Sequence, residues 1–283
     1  LRRRDETRDV GVILLTALGC SSSGEEPDRV RMRLDPSEGS FWKMPYPNDL
    51  LLDRSKRTID LSRFPNPQSN SLVQQIARLA AEERDGFGLN PVISFGFDGP
   101  VSTAKLATDP EEIPSAPFAS FILNIDPSSP GFGESVPALS RVYSSNGNYV
   151  AANTLTMIPW PGATVWPDAI YAAIVLRTVT DADGIPLAQS ELLGAALRGR
   201  AAATTDGETL LRLYKPLADY LKSDDQLSPN DIAAATVFTT GNPAADLRRI
   251  AISVSRSWTA QWAVPPALVH EEADYCTLEG VIE

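Results

Sequence analysis

Apolar and polar residues alternate with a period of two through much of this chain, the spacing of strands with one buried face. Val30, Met32 and Leu34 alternate with Arg31 and Arg33, and Asp35-Pro36 stops the run. Ile93, Phe95 and Phe97 share one face of a second strand, turned by Asp98-Gly99-Pro100. Phe121, Leu123 and Ile125 repeat the pattern before Asp126-Pro127. Short strands are expected near Leu139–Tyr143 and Thr154–Ile158. The unbroken apolar run from Ala169 to Leu176 predicts a strand buried on both faces. Ala234 to Thr240 reads as a late returning strand.

Elsewhere the period lengthens to that of a helix. Leu72, Ile76, Leu79 and Ala80 predict a helix over 69–86, with Gly86 as its stop. Leu210, Leu213, Tyr214, Leu217 and Leu221 form a second stripe, and Pro216 predicts a kink or two short helices. Ser228-Pro229 reads as an N-cap followed by proline at the first helical position. Asn242-Pro243 opens another helix, with Leu247, Ile250 and Val254 on one face. After Pro265-Pro266, the segment "HEEADYCTLEGVIE" reads as the start of a new element. About seven short strands separated by Pro/Gly turns predict a mainly β (α+β) fold. The expected form is an Ig-like antiparallel β-sandwich with helical insertions and a C-terminal flanking helix.

The stretch "MPYPNDLLLD", Met44 to Asp53, fits neither period. Pro45 and Pro47 hold the backbone extended, and Asn48 or Asp49 is expected to fold its side chain back onto backbone amides. Leu50 to Leu52 are expected to drop into the core.

Composition narrows the partners. Hydrophobic residues are 43% of the 283, enough for a sizeable core, and the length suggests about two domains. The formal charge of −11 repels phosphate backbones and anionic lipid heads, so nucleic acid is not an expected partner. Cys20 and Cys276 are far apart and belong to no metal-ligand cluster, and no metal or cofactor is expected.

The N-terminus has the layout of an export signal. Arg2, Arg3 and Arg4 precede the apolar run Val10–Gly19, which is too short to span a bilayer. Ala17-Leu18-Gly19-Cys20 then resembles a bacterial lipobox, followed by Ser21-Ser22-Ser23-Gly24. Asp5, Glu6 and Asp9 depart from the usual basic start, and Ala17 stands where Leu is commoner. The resemblance implies a signal peptide over 1–19, lipidation of Cys20 and a tether over 20–28. Localisation in the cell envelope follows, lipid-anchored at the outer membrane or cell surface. In that oxidising setting Cys276 is expected to pair with a cysteine beyond residue 283.

Candidate chemistry is sparse. No Gly-x-Ser-x-Gly turn occurs, so His270, with Glu271 or Glu272 beside it, has no nucleophile to serve and reads as part of an exposed linker. The adjacent carboxylates Glu111-Glu112 and Asp224-Asp225 read as solvated loops. "TDADG", Thr180 to Gly184, offers Asp181 and Asp183 at calcium-loop spacing. The first and last ligand positions fall on Val179 and Ser190, so the segment reads as a tight turn. Trp160 and Trp166, each before a proline in "PWPGATVWPD", mark a possible binding loop for carbohydrate or protein.

Three segments taken together carry a family resemblance. "LDPSEGSFWKMPYPNDLLLD" is similar to the opening of the bacterial virulence-factor lipase N-terminal domain. "LNPVISFGFDGPVS" resembles that family's first core strand, and "ATVFTTGNPAADLRR" its closing strand and helix. The resemblance covers about residues 30–255. It implies a sandwich over 29–241, a helical linker over 242–266, and the start of a following domain over 267–283. It also implies a non-catalytic accessory domain of an exported lipoprotein, preceding an α/β-hydrolase (lipase or esterase) domain that carries the nucleophile. No catalytic residue transfers to this chain. The alternative is a stand-alone surface Ig-like protein that binds carbohydrate or protein. Hydrolysis by the chain itself is the third, least favoured reading.

Overall fold

Strands dominate the computed structural model, which describes residues 29–283 except 38, 57, 83–84, 112–117, 258 and 260. The central strands are β3 (Ile93–Gly96), β4 (Ser120–Asn124), β5 (Ser135–Tyr143), β6 (Thr154–Pro159), β7 (Ile170–Leu176) and β8 (Ile232–Thr239). Two-residue strands β1 (Leu52–Asp53) and β2 (Thr58–Ile59) pair separately, as do β9 (Trp262–Glu271) and β10 (Cys276–Ile282). The helices are α1 (Ser71–Ala80), α2 (Glu191–Leu197), α3 (Gly207–Leu221) and α4 (Pro243–Ser257).

The six central strands run β3-β6-β5-β4-β7-β8, each pair antiparallel. The long strand β5 divides its pairing. Ser135 to Pro137 pair with β4, while Ala138 to Tyr143 pair with β6. β5 lies between β4 and β6 and meets them along different parts of its length, an offset that fits a twisted sheet. The fold is therefore mainly β and antiparallel, consistent with a β-sandwich or a barrel-like arrangement. Its most deeply buried strands are β7 and the outer strand β8. Ala172, Ala173, Ile174 and Val175 face Val237, Thr236, Ala235 and Ala234, and all are buried. Small alanines on both faces let other layers approach closely, which explains the apolar run in the sequence.

The "MPYPND" stretch joins the two outer strands of this sheet. Tyr46 exchanges both backbone hydrogen bonds with Ser94 of β3, at 3.0 and 2.7 Å. Three residues on, the Asp49 amide donates to the Val237 carbonyl of β8 at 3.0 Å. Between them the Thr236 hydroxyl donates to the Pro47 carbonyl at 2.6 Å. Asn48 is only 2% exposed and braces the bend from within. Its amide donates to the Pro45 carbonyl at 2.6 Å and its oxygen accepts from the Leu50 amide at 3.1 Å. The two prolines suit this path, since each stands where no backbone N–H is required. A second strap lies alongside, where Phe87 bonds Thr239 and Gly241.

Tyr214 locks α3 onto β8. Its ring is fully buried and its hydroxyl donates to the Ala235 carbonyl at 2.7 Å. Leu210, Leu213, Leu217 and Leu221 bury the same face.

Several expectations need correction. Pro216 does not divide the second helical segment; α3 is one element through it. Buried side chains on both sides of Pro216 hold the two halves to one surface, and the carbonyl that loses its partner belongs to exposed Arg212. The first helix ends at Ala80, short of Gly86. Gly86 serves the strap instead, because a Cβ there would stand 2.4 Å from backbone atoms of Thr240 and Gly241. Leu50 stays 41% exposed and only Leu52 of the three leucines is buried. Val30 to Leu34 make single bridges, Arg31 to Ala188 and Met32 to Phe97, instead of a strand. Their alternation still holds, with Met32 and Leu34 buried. Ser228-Pro229 opens a single 3₁₀ turn, Pro229–Asp231, before β8. The C-terminal hairpin starts at Trp262, inside the stretch expected to be a helical linker.

Candidate functional site

The Asx chemistry expected at Asn48-Asp49 positions a half-buried carboxylate. Asp49 accepts from the Thr239 amide and from the Thr239 hydroxyl, both at 2.7 Å, and faces Arg54 at 3.4 Å. Burial raises its pKa despite these partners, of which the Thr239 hydroxyl and amide pull hardest downward. Three donors around one carboxylate leave it as a fastening between the bend and β8. Tyr46, beside it, is raised by burial.

Over the same bend lies a cavity of about 330 Å³. Phe41, Met44, Tyr46 and Leu51 supply apolar wall, and Ser40, Asn48, Asp60, Arg63 and Thr209 its polar positions. Such a mixture suits a small apolar ligand with one polar end. In the sequence this stretch reads as the entrance to the fold, and no cavity is foreseen there. Thr209, one of the polar partners, arrives from α3.

The Trp160 and Trp166 loop is partly committed to structure. Trp166 is 45% exposed, but its indole N–H donates to Glu134 at 3.2 Å. Its ring lies on Gly131, where a Cβ would meet the indole at 2.4 Å. Its backbone amide donates to the Tyr171 hydroxyl at 2.7 Å, and that hydroxyl accepts from Asn124 at 3.2 Å. Trp160 is half-buried and its amide donates to Pro137. The two tryptophans thus flank the start of β5.

His270 lies in β9, not in a linker. Its ring contacts Glu272 Oε1 at 2.8 Å and both are exposed. "TDADG" forms the expected turn. Asp181 is buried, its Oδ1 accepts from the amides of Asp183 and Ile185 at 2.9 Å each, and Gly184 takes φ +81. That carboxylate is consumed by its own backbone. Cys20, with the whole segment 1–28, lies outside the described residues, as does Glu112. Cys276 is free and exposed at the start of β10. Asp224 is half-buried, unlike the solvated loop expected from its sequence. Among the described residues no group of three or more His, Cys, Asp or Glu could hold a metal. None of the described helices is long and apolar enough to cross a membrane.

The turn carboxylates set an acid limit on stability. Asp53 is lowered to about 2, first by the Ser55 hydroxyl and then by Lys56. Asp60 is lowered by the Ser62 hydroxyl, and Asp219 by Lys215 and Lys222. For Asp126 burial pushes upward, but the Ser128 hydroxyl and amide and the Ile170 amide outweigh it. A folded pKa below the ordinary 3.8 contributes stability that is whole above 3.8. It is lost as pH falls through the folded value, for Asp53 between 3.8 and about 2. Asp49 has the opposite sign: its raised folded pKa costs stability as pH rises through that value. Urea midpoints measured against pH are expected to fall steeply below 3.8, and Asp53→Asn to shallow that fall. An unchanged acid limb in Asp53→Asn would contradict the assignment.

No protein-family model and no curated protein sequence matches this chain.

Proposed function

We propose that this chain is the non-catalytic N-terminal, Ig-like accessory domain of an exported bacterial lipoprotein, held to the envelope through Cys20 and placed ahead of an α/β-hydrolase domain with lipase or esterase activity. The observation that supports it is the C-terminal surface. Leu247, Ile250 and Val254 of α4 are 70%, 56% and 51% exposed. In the hairpin, the facing pairs Leu268 with Leu278, Val264 with Val281 and Trp262 with Ile282 are all exposed. A two-stranded hairpin with bare apolar side chains is marginal by itself, and an apolar surface of this kind is built to be covered. A following domain seated there supplies the cover. The division of β5 between two neighbours fits an Ig-like two-layer body. The rival reading, a stand-alone binder, draws on the exposure of Trp166, yet that indole already has its partner in Glu134.

The coding sequence and an esterase assay test this. A Gly-x-Ser-x-Gly turn is expected within about two hundred residues after Glu283. The extended protein is expected to hydrolyse p-nitrophenyl esters, and the present chain alone is not. A stop codon shortly after residue 283 would favour the binder. Ester turnover by this chain, abolished by a single Ser substitution, would overturn the accessory role.

A further inference from the structure

A second groove, of about 690 Å³, runs between the end of α3 and the exposed sides of β4 and β5. Four aromatic rings line it, Phe118, Phe121, Phe132 and Tyr220, together with the carboxylates Asp224 and Asp225. We propose that this groove binds a small organic ammonium ion from solution.

Three observations lead there. First, Phe121 and Tyr220 are only partly buried where they pack on the core, and Phe132 stands clear of it. Phe132 is 46% exposed, and its ring meets Tyr220 at 72° with centroids 5.5 Å apart, giving two walls of one recess. Second, the recess carries negative charge at its edge. Asp224 is half-buried, accepts from the Gln226 amide at 2.7 Å, and with burial raises Tyr220 to about 12. Third, among the described residues no Lys or Arg lines the groove to neutralise these groups. Lys222, the nearest along the chain, is tied to Asp219 at 2.7 Å.

Aromatic faces attract cations through their quadrupole, and carboxylates add Coulombic pull. A hard metal ion wants six or more oxygen ligands, which phenyl walls do not supply. A sugar would stack on the rings but leave the carboxylates without a counter-charge. A methylated or alkyl ammonium satisfies both halves of the lining. None of this depends on a hydrolase domain, so either proposal can fail without the other.

The probe is tetramethylammonium chloride, with tert-butanol as a neutral analogue of similar shape. Titration followed by amide NMR is expected to give saturable shifts at Gly133 and over 223–227 with the ammonium only. Phe132→Leu, which keeps apolar bulk but removes the ring, is expected to weaken binding by about three- to fivefold. Asp224→Asn is expected to weaken it by a similar factor, about threefold or more. Dispersed amide spectra confirm that each variant is folded. Equal shifts with tert-butanol, wild-type affinity in folded Phe132→Leu, or no saturable shift at all would overturn the proposal.

Discussion

Replacing Tyr214 by Ala is expected to cost about 4 kcal/mol, the range for emptying a large aromatic site. The ring is fully buried in the middle of the α3 stripe, between Leu210 or Leu213 on one side and Leu217 on the other. Its loss opens a cavity against β8 that the alanine-rich strand cannot refill. The lost hydroxyl adds a further penalty, because the Ala235 carbonyl is left without that donor. Tyr214→Phe separates the two contributions and is expected to cost only about 1 kcal/mol. Against a typical domain stability of about 5–15 kcal/mol, the alanine variant leaves a small margin. Burial also holds the Tyr214 phenol well above its ordinary value of 10.0. A raised folded pKa means stability that is complete below 10.0 and fades at more alkaline pH. Tyr214→Phe should therefore lose less than the parent on raising the pH into that range. Urea unfolding at neutral and alkaline pH measures both effects. A cost below about 1.5 kcal/mol for Tyr214→Ala would mean that α3 does not clamp the sheet.

The sequence was legible wherever one short segment settles its own environment. The apolar run Ala169 to Leu176 read as a strand buried on both faces or inside a sandwich, and β7 is a buried strand. Ile93, Phe95 and Phe97 declared a core face, and all three are fully buried. Asp181 and Gly184 declared a turn. What stayed illegible depends on contacts between segments far apart. Nothing local in Ser135 to Tyr143 says that β5 will meet β4 only up to Pro137 and β6 from Ala138 onward. Gly86 looked like a helix stop because its true reason, the backbone of Thr240 and Gly241, arrives from far along the chain. Amphipathic spacing in α1 and α4 gave the helices but not a buried face. Leu72 and Ile76 are as exposed as Leu247 and Ile250. The second groove had no signature at all, since Phe121, Phe132 and Tyr220 share no spacing and Asp224-Asp225 reads as surface.

Asn48→Ala is the substitution that tests how the two outer strands are joined, and it is expected to cost about 2–3 kcal/mol. Asn48 is the inner strut of the bend, and both of its hydrogen bonds go to backbone groups of the same stretch. Removing it strands the buried Pro45 carbonyl and takes the acceptor from the part-buried Leu50 amide. The effect should spread in both directions along the bend. Tyr46 is held to β3 on one side of Asn48, and Asp49 to β8 on the other. Hydrogen exchange distinguishes this from a general loss of stability. The Tyr46, Asp49 and Ser94 amides should lose protection in Asn48→Ala, since each bonds across the join. Amides inside α3 should keep protection in proportion to global stability alone. Asn48→Asp sharpens the test, because it preserves the acceptor to Leu50 but turns the Pro45 contact into a carbonyl facing a carboxylate. It should be as destabilising as Ala at neutral pH and recover as acid protonates it, the sign expected for a buried carboxylate without a cation. If Asn48→Ala left exchange at Tyr46 and Asp49 unchanged, the bend would hold without its strut, on the bonds of Tyr46 to Ser94, Thr236 to Pro47 and Asp49 to Val237.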